Sequence, residues 1–182
     1  EPLGWEVFEG TAAAPVALVI ENPATWHTIV NWNRERGLFA AVVYGRGNSF
    51  MRAWRDVDRL QRAVRITTLF YFGDLDAQGL AIPSAAARGL AADVGGGVAL
   101  RPAVTLYRML LEKVPADRWQ PARDARATGD DVLGWLDEPL RGRVRALFEQ
   151  DRRIPQEAVQ RPWLDGVADA LTGEIVNSDR KP

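Results

Sequence analysis

The sequence predicts an α/β fold: a mainly parallel sheet of about four strands with helices on both faces, extended at its C-terminal end by further helices. Two patterns predict it. Between about residues 15 and 104, short apolar runs alternate with stretches of helical periodicity. Such alternation calls for right-handed crossovers, which place helices on both sides of a parallel sheet. From Thr105 onward the apolar spacing is helical only, in short stretches separated by proline and charge. We therefore expect a single domain over residues 1–182, with a core at about 15–104 and a helical extension at about 105–175.

The first run, Pro15 to Ile20, is apolar throughout and stops at Glu21, as a strand buried on both faces reads. Asn22 is placed to cap a helix with Pro23 at its first position, where the missing N–H and fixed φ cost nothing. Trp26, Ile29, Val30 and Asn33 share one side at helical spacing, and Gly37 is placed to end the helix in the left-handed region. Leu38 to Tyr44 is the second run. It closes on Gly45-Arg46-Gly47-Asn48-Ser49, a loop in which Asn48 or Ser49 can cap a helix striped by Phe50, Trp54, Val57, Leu60 and Val64. The third run, Ile66 to Phe72, is rich in β-branched and aromatic residues and ends at Gly73-Asp74-Leu75-Asp76. A helix from about Gly79 to Leu90 is expected next, with Pro83 early enough to be tolerated, then a turn over Asp93 to Gly97. Val98 to Ala103 reads as a fourth strand that Pro102 confines to an edge or a strand end. Beyond it, helices are expected at Leu106–Lys113, about Asp130–Leu136, Pro139–Gln150 and Gln156–Leu171, with fraying after Val176.

Composition narrows the function classes. No run of about 18 apolar residues exists to span a bilayer, and the N-terminus lacks the charged-then-apolar pattern of a signal peptide. The chain contains no cysteine, which removes disulfides and thiolate metal sites and fits a cytoplasmic protein. It opens on Glu1 rather than Met, which we read as a C-terminal fragment of a longer protein. A net charge of −1 supplies no global attraction to nucleic acid, so DNA contact would be local.

In an open parallel sheet, ligands sit beyond the carboxyl ends of the strands. Glu21 follows the first run, and Asp74 and Asp76 follow the third. Residues two apart in an extended segment point to the same side, so the three carboxylates can face one another. Clustered carboxylates repel unless protons or cations offset the charge. Mg²⁺ does so with oxygen ligands, usually one or two protein carboxylates together with substrate phosphates. Asp74 and Asp76 suit that role, with Glu21 as a further ligand or as general acid or base. Each residue also has a plainer reading, Asp as a helix N-cap and Glu21 as a strand end in solvent.

The joint pattern resembles a known family. Ala17-Leu18-Val19-Ile20-Glu21-Asn22-Pro23-Ala24-Thr25, the Gly45–Gly47 loop and Tyr71-Phe72-Gly73-Asp74-Leu75-Asp76-Ala77-Gln78-Gly79-Leu80-Ala81-Ile82 are similar to the Toprim domain. Within that superfamily the chain is most similar to JetD, the nuclease subunit of Wadjet plasmid-defence systems, which is related to the A subunit of topoisomerase VI. The similarity covers about residues 15–104, with a weaker echo at Arg153-Ile154-Pro155-Gln156-Glu157. It implies a Rossmann-like parallel sheet and Mg²⁺- or Mn²⁺-dependent DNA cleavage by Glu21, Asp74 and Asp76. It also implies partnership with an SMC-kleisin type complex and a homodimer. JetD-like sequences commonly carry His where Gln78 stands; Gln can still hydrogen-bond a phosphate or a bound water.

The leading expectation is a metal-dependent DNA endonuclease domain, with Gln78, Arg46 and Glu157 as accessory residues. A non-catalytic DNA-binding or assembly module is the alternative. A phosphatase of the haloacid dehalogenase type would need its Asp-x-Asp on the first strand and Thr or Val two positions on, whereas the motif follows the third run and Gln78 fills that position. Tyr44, Tyr71 and Tyr107 read as core or surface aromatics rather than nucleophiles, His27 as a packed or surface residue, and the seven Trp residues as core.

Overall fold

The computed structural model describes residues 3–9, 15–47, 50, 54–92, 97–123 and 130–178. Its larger sheet comprises Gly4–Val7 (β1), Val16–Ile20 (β2), Ala41–Tyr44 (β3), Thr68–Phe72 (β4) and Ala99–Pro102 (β5), in the order β1-β3-β2-β4-β5. Strands β3, β2, β4 and β5 run parallel, while β1 pairs antiparallel with β3 and closes that edge. The four parallel strands are the four expected ones, with Pro102 on an edge strand. Strand β1 was not expected: Gly-Trp-Glu-Val has neither an apolar run nor strict alternation, and both its ends are exposed.

The helices are Pro23–Arg36 (α1), Trp54–Val64 (α2), Ala77–Ala92 (α3), Val104–Lys113 (α4), Asp130–Leu133 (α5), Leu140–Phe148 (α6) and Arg161–Ser178 (α7). A second, two-stranded sheet pairs Gln120–Pro121 (β6) with Arg152–Arg153 (β7). Every residue of β2 and β4 is buried, because successive side chains feed cores on opposite faces. Val16, Leu18, Ile20, Phe70 and Phe72 pack with α1, α4, α6 and α7 on one side. Ala17, Val19, Leu69 and Tyr71 pack with Val57 and Leu60 of α2 and Ile82, Ala86 and Leu90 of α3 on the other. Fully burying a side chain such as Leu18 or Ile20 contributes about 1.5–3 kcal/mol. Among the described residues, no helix is long and apolar enough to cross a membrane.

The expected ends of α1 are present. The Asn22 side chain accepts from the Thr25 N–H at 3.0 Å, Pro23 opens the helix, and Gly37 at φ 63° donates its N–H to the Asn33 carbonyl. Asn33 is fully buried because its amide takes over the chain reversal, accepting from the Leu38 and Phe39 N–H groups and donating to the Phe39 carbonyl.

Other boundaries need correction. Helix α3 starts at Ala77, two residues earlier than expected, because Asp76 caps it, and Pro83 therefore lies in its interior. The expected helix at Gln156–Leu171 is a short 3₁₀ turn at Gln156–Ala158 followed by α7. Helix α7 continues past Val176 to Ser178, where Ile175 and Ser178 are buried and the Ser178 hydroxyl donates to the Ile175 carbonyl, while the rest of the expected frayed end, 179–182, lies outside the described residues. The expected cap at Asn48 or Ser49, the Trp54 side chain and the turn at 93–96 lie outside the described residues.

Candidate functional site

Strands β2 and β4 are parallel neighbours with Ile20 opposite Phe72, so Glu21 and the Gly73–Asp76 segment leave the sheet side by side at its carboxyl edge. Gly73 is the residue that lets them approach. A Cβ there would lie 2.9 Å from Glu21 Oε1 and 3.2 Å from Tyr71 Cε1. Past Gly73 the chain remains extended, because Leu75 exchanges two hydrogen bonds with Ile154, at 2.9 and 3.2 Å. That bridge brings the end of β7 against the Asp-x-Asp segment.

Each acidic residue is held differently. Glu21 accepts a hydrogen bond on Oε1 from the Tyr71 hydroxyl. Burial, opposed by that hydrogen bond and reinforced by the charges of Asp74 and Asp76, pushes its carboxyl up to about 7. Asp74 accepts the Gln156 N–H on Oδ1 at 2.7 Å and faces Arg153 and Arg123 through Oδ2, at 3.4 and 3.9 Å. Burial raises its pKa as well, against the lowering effect of the Gln156 hydrogen bond. Asp76 accepts the Gly79 N–H on Oδ1 at 2.7 Å, which makes it the N-cap of α3, and its Oδ2 lies 3.9 Å from Arg153. Only glycine fits at 79, where a Cβ would stand 2.4 Å from the Asp74 carbonyl oxygen.

The edge is braced by residues that the sequence reading did not place there. Gln156, fully buried, donates through Nε2 to the Phe72 carbonyl and accepts through Oε1 from the Asn22 N–H at 2.9 Å. It thus ties the end of β4 to the start of α1. Arg153, 6% exposed, reaches both aspartates and also donates to Gln120 of β6. Tyr71 and Tyr107 have core rings, as expected, but their hydroxyls end in the site. Tyr71 meets Glu21, and the Tyr107 oxygen accepts the Gly73 N–H at 3.0 Å. The echo at Arg153–Glu157 was the available signal, although it directed attention to Glu157 rather than to Arg153 and Gln156.

The accessory candidates are at the rim. Glu157 is exposed and its charge adds to the rise at Asp74. Gln78 is exposed in the first turn of α3. Arg46, at φ 53°, stacks over the Tyr44 ring with its guanidinium carbon 5.4 Å from the centroid. His27 is exposed and meets Trp26 edge-on. Trp32 is fully buried, and Trp26, Trp119, Trp135 and Trp163 pack at the margin of the same core.

Among the described residues, no three His, Asp or Glu side chains form a ready cage for a metal ion. Two carboxylates with substrate phosphates suffice for Mg²⁺. Glu21 and Asp74 supply hard oxygen donors on adjacent strand ends, where burial raises the pKa of each. The donor set therefore suits a hard divalent ion.

No curated protein and no solved structure matches the chain. The family model described as Wadjet protein JetD, C-terminal, matches residues 4–168, and the chain belongs to that family of Wadjet defence systems.

Proposed function

We propose that the chain is the metal-dependent DNA endonuclease domain of its Wadjet system, hydrolysing phosphodiester bonds at the edge formed by Glu21, Asp74 and Asp76. The observation that carries this reading is the placement of Glu21 and Asp74 at the adjacent carboxyl ends of β2 and β4, close enough for the Asp74 charge to help raise the Glu21 pKa to about 7. A group titrating there can both release and take up a proton at physiological pH.

A bound Mg²⁺ or Mn²⁺ would polarise the scissile phosphate and ease deprotonation of the attacking water. The chain's own residues do the rest. Glu21 and Asp74 hold the ion, and Asp76 adds its charge to the same edge. Tyr71 fixes one oxygen of Glu21, leaving the other for the ion or for the proton of the attacking water. Exposed Arg123, already beside Asp74, can take a DNA phosphate as its anionic partner. Arg46 offers a second cation at the end of β3.

A net charge of −1 argues that most DNA affinity comes from elsewhere, from an SMC-kleisin type complex and from further parts of a homodimeric full-length protein. The test is nicking and linearisation of supercoiled plasmid by the full-length protein with its partners, in Mn²⁺, Mg²⁺ and EDTA, beside Glu21→Gln and Asp74→Asn. Metal-dependent cutting that both substitutions abolish, with folding intact, supports the endonuclease. Absence of cutting, or cutting indifferent to both changes, favours a non-catalytic DNA-binding or assembly module.

A further inference from the structure

The β6–β7 ribbon delivers a cation into the acidic edge. Gln120 and Arg153 are register partners in that ribbon, and the Leu75–Ile154 bridge fixes the residue that follows β7 against the middle of the Asp-x-Asp segment. The Arg153 side chain, 8% exposed, reaches Asp74 Oδ2 at 3.4 Å and Asp76 Oδ2 at 3.9 Å. Its Nε is buried and has no hydrogen-bond partner among the described residues. A buried guanidinium with an unmet N–H is costly, and charge compensation is what makes it tolerable here. Arg is fully charged at any working pH, so the compensation does not switch off.

Resting on the endonuclease reading, we propose that Arg153 serves as the permanent countercation of the Asp74–Asp76 pair, so that the site takes a single divalent ion, held by Glu21 and Asp74. Asp76 is then a positioning residue and not a ligand. One of its oxygens caps α3 through Gly79, and the other faces the guanidinium. Asp74 differs. It is more open than Asp76, with 17% of its side chain exposed against 10%, and it follows directly on Gly73, where the chain lies against Glu21. A second ion between Asp74 and Asp76 would have to share the space with a fixed positive charge, and like charges at such range repel strongly in a partly dry site.

The experiment is a Mn²⁺ titration of the full chain without DNA, following free Mn²⁺ by electron paramagnetic resonance and folding by circular dichroism. The expected result is a single ion for the unaltered chain, with affinity lost at least about tenfold in Glu21→Gln and Asp74→Asn. Asp76→Asn should stay within about threefold, because Asn keeps the cap on α3. Removal of the guanidinium in Arg153→Gln should admit a second ion. Two ions on the unaltered chain would overturn the proposal, as would an Asp76→Asn loss as large as that of Asp74→Asn, or a folded Arg153→Gln that still takes a single ion. The Asp76→Asn comparison decides the matter should Arg153→Gln fail to fold. A chain that binds no Mn²⁺ at all would overturn the endonuclease reading itself.

Discussion

The backbone N–H of Gln156 donates to Asp74 Oδ1 at 2.7 Å across 82 residues of sequence. Asp74 is thereby oriented by the helical half of the chain and not by the strand that carries it. The same residue's side chain spans Asn22 and Phe72, so a single turn at Gln156–Ala158 sets the distance between the ends of β2 and β4. The C-terminal extension is in this sense part of the site.

Gln156→Ala should therefore act on stability and on the acidic edge together. It removes the partner of a half-buried N–H at Asn22 and of a buried carbonyl at Phe72, the loss at a buried group costing about 1–3 kcal/mol. A loss of about 2–4 kcal/mol in urea unfolding is expected. A loss below about 0.5 kcal/mol, typical of surface substitutions, would mean that the bridge does not hold the strand ends.

The glycines of the motif give a graded test. At Gly79 an added methyl group meets the Asp74 carbonyl oxygen at 2.4 Å, backbone that cannot step aside, so Gly79→Ala should destabilise more than Gly73→Ala. At Gly73 the obstacle is the Glu21 carboxylate, a side chain that can rotate away at a cost of about 1–3 kcal/mol. Gly89, exposed and with nothing among the described residues near its missing Cβ, is the control, where alanine should stabilise α3 by about 0.5–1 kcal/mol. Thermal unfolding of the three variants ranks them, and equal losses at 73 and 79 would contradict the geometry.

Tyr71→Phe should raise the Glu21 pKa further. The Tyr71 hydroxyl favours the ionised carboxylate, while burial and the two aspartates oppose it. Side-chain carboxyl carbon shifts, followed by NMR through the titration, would show the midpoint moving up from about 7. A midpoint that stayed or fell would mean that the hydrogen bond does not govern the charge of Glu21.

The legible parts of this chain are those that local chemistry dictates. Strands β2 and β4 are buried on both faces, so they read as uninterrupted apolar runs, and Asn22-Pro23 and Gly37 carry their capping roles in their own side chains and backbone. Glu21 and Asp74 were visible because each ends such a run. What stayed hidden depends on contacts between distant segments. Strand β1 forms only because β3 offers an edge, and Arg153 enters the site only through the β6–β7 ribbon and the Leu75–Ile154 bridge. Tyr71 and Tyr107 were read as core because their rings are core; the hydroxyl at the far end of each is what reaches the site.

The pH dependence of stability follows from the same site, and its sign is unusual for carboxylates. Glu21 titrates near 4.5 when unfolded and at about 7 when folded, so between those values the folded chain holds the extra proton. Its contribution is most favourable below about 4.5 and is lost as pH rises through about 7, and Asp74, also raised, acts in the same direction. In EDTA, the chain should thus lose up to a few kcal/mol between pH 5 and pH 8, and Glu21→Gln should flatten that decline. A divalent ion competes with the proton for the same carboxylates, so its stabilisation should grow over the same window, reaching about 2.7 kcal/mol at a hundredfold excess over Kd. Urea unfolding at both pH values, with and without Mn²⁺, reads all four corners of this linkage. Mn²⁺ stabilisation equal at pH 5 and pH 8, or unaffected by Glu21→Gln, would separate the ion from the carboxyl that the fold keeps protonated.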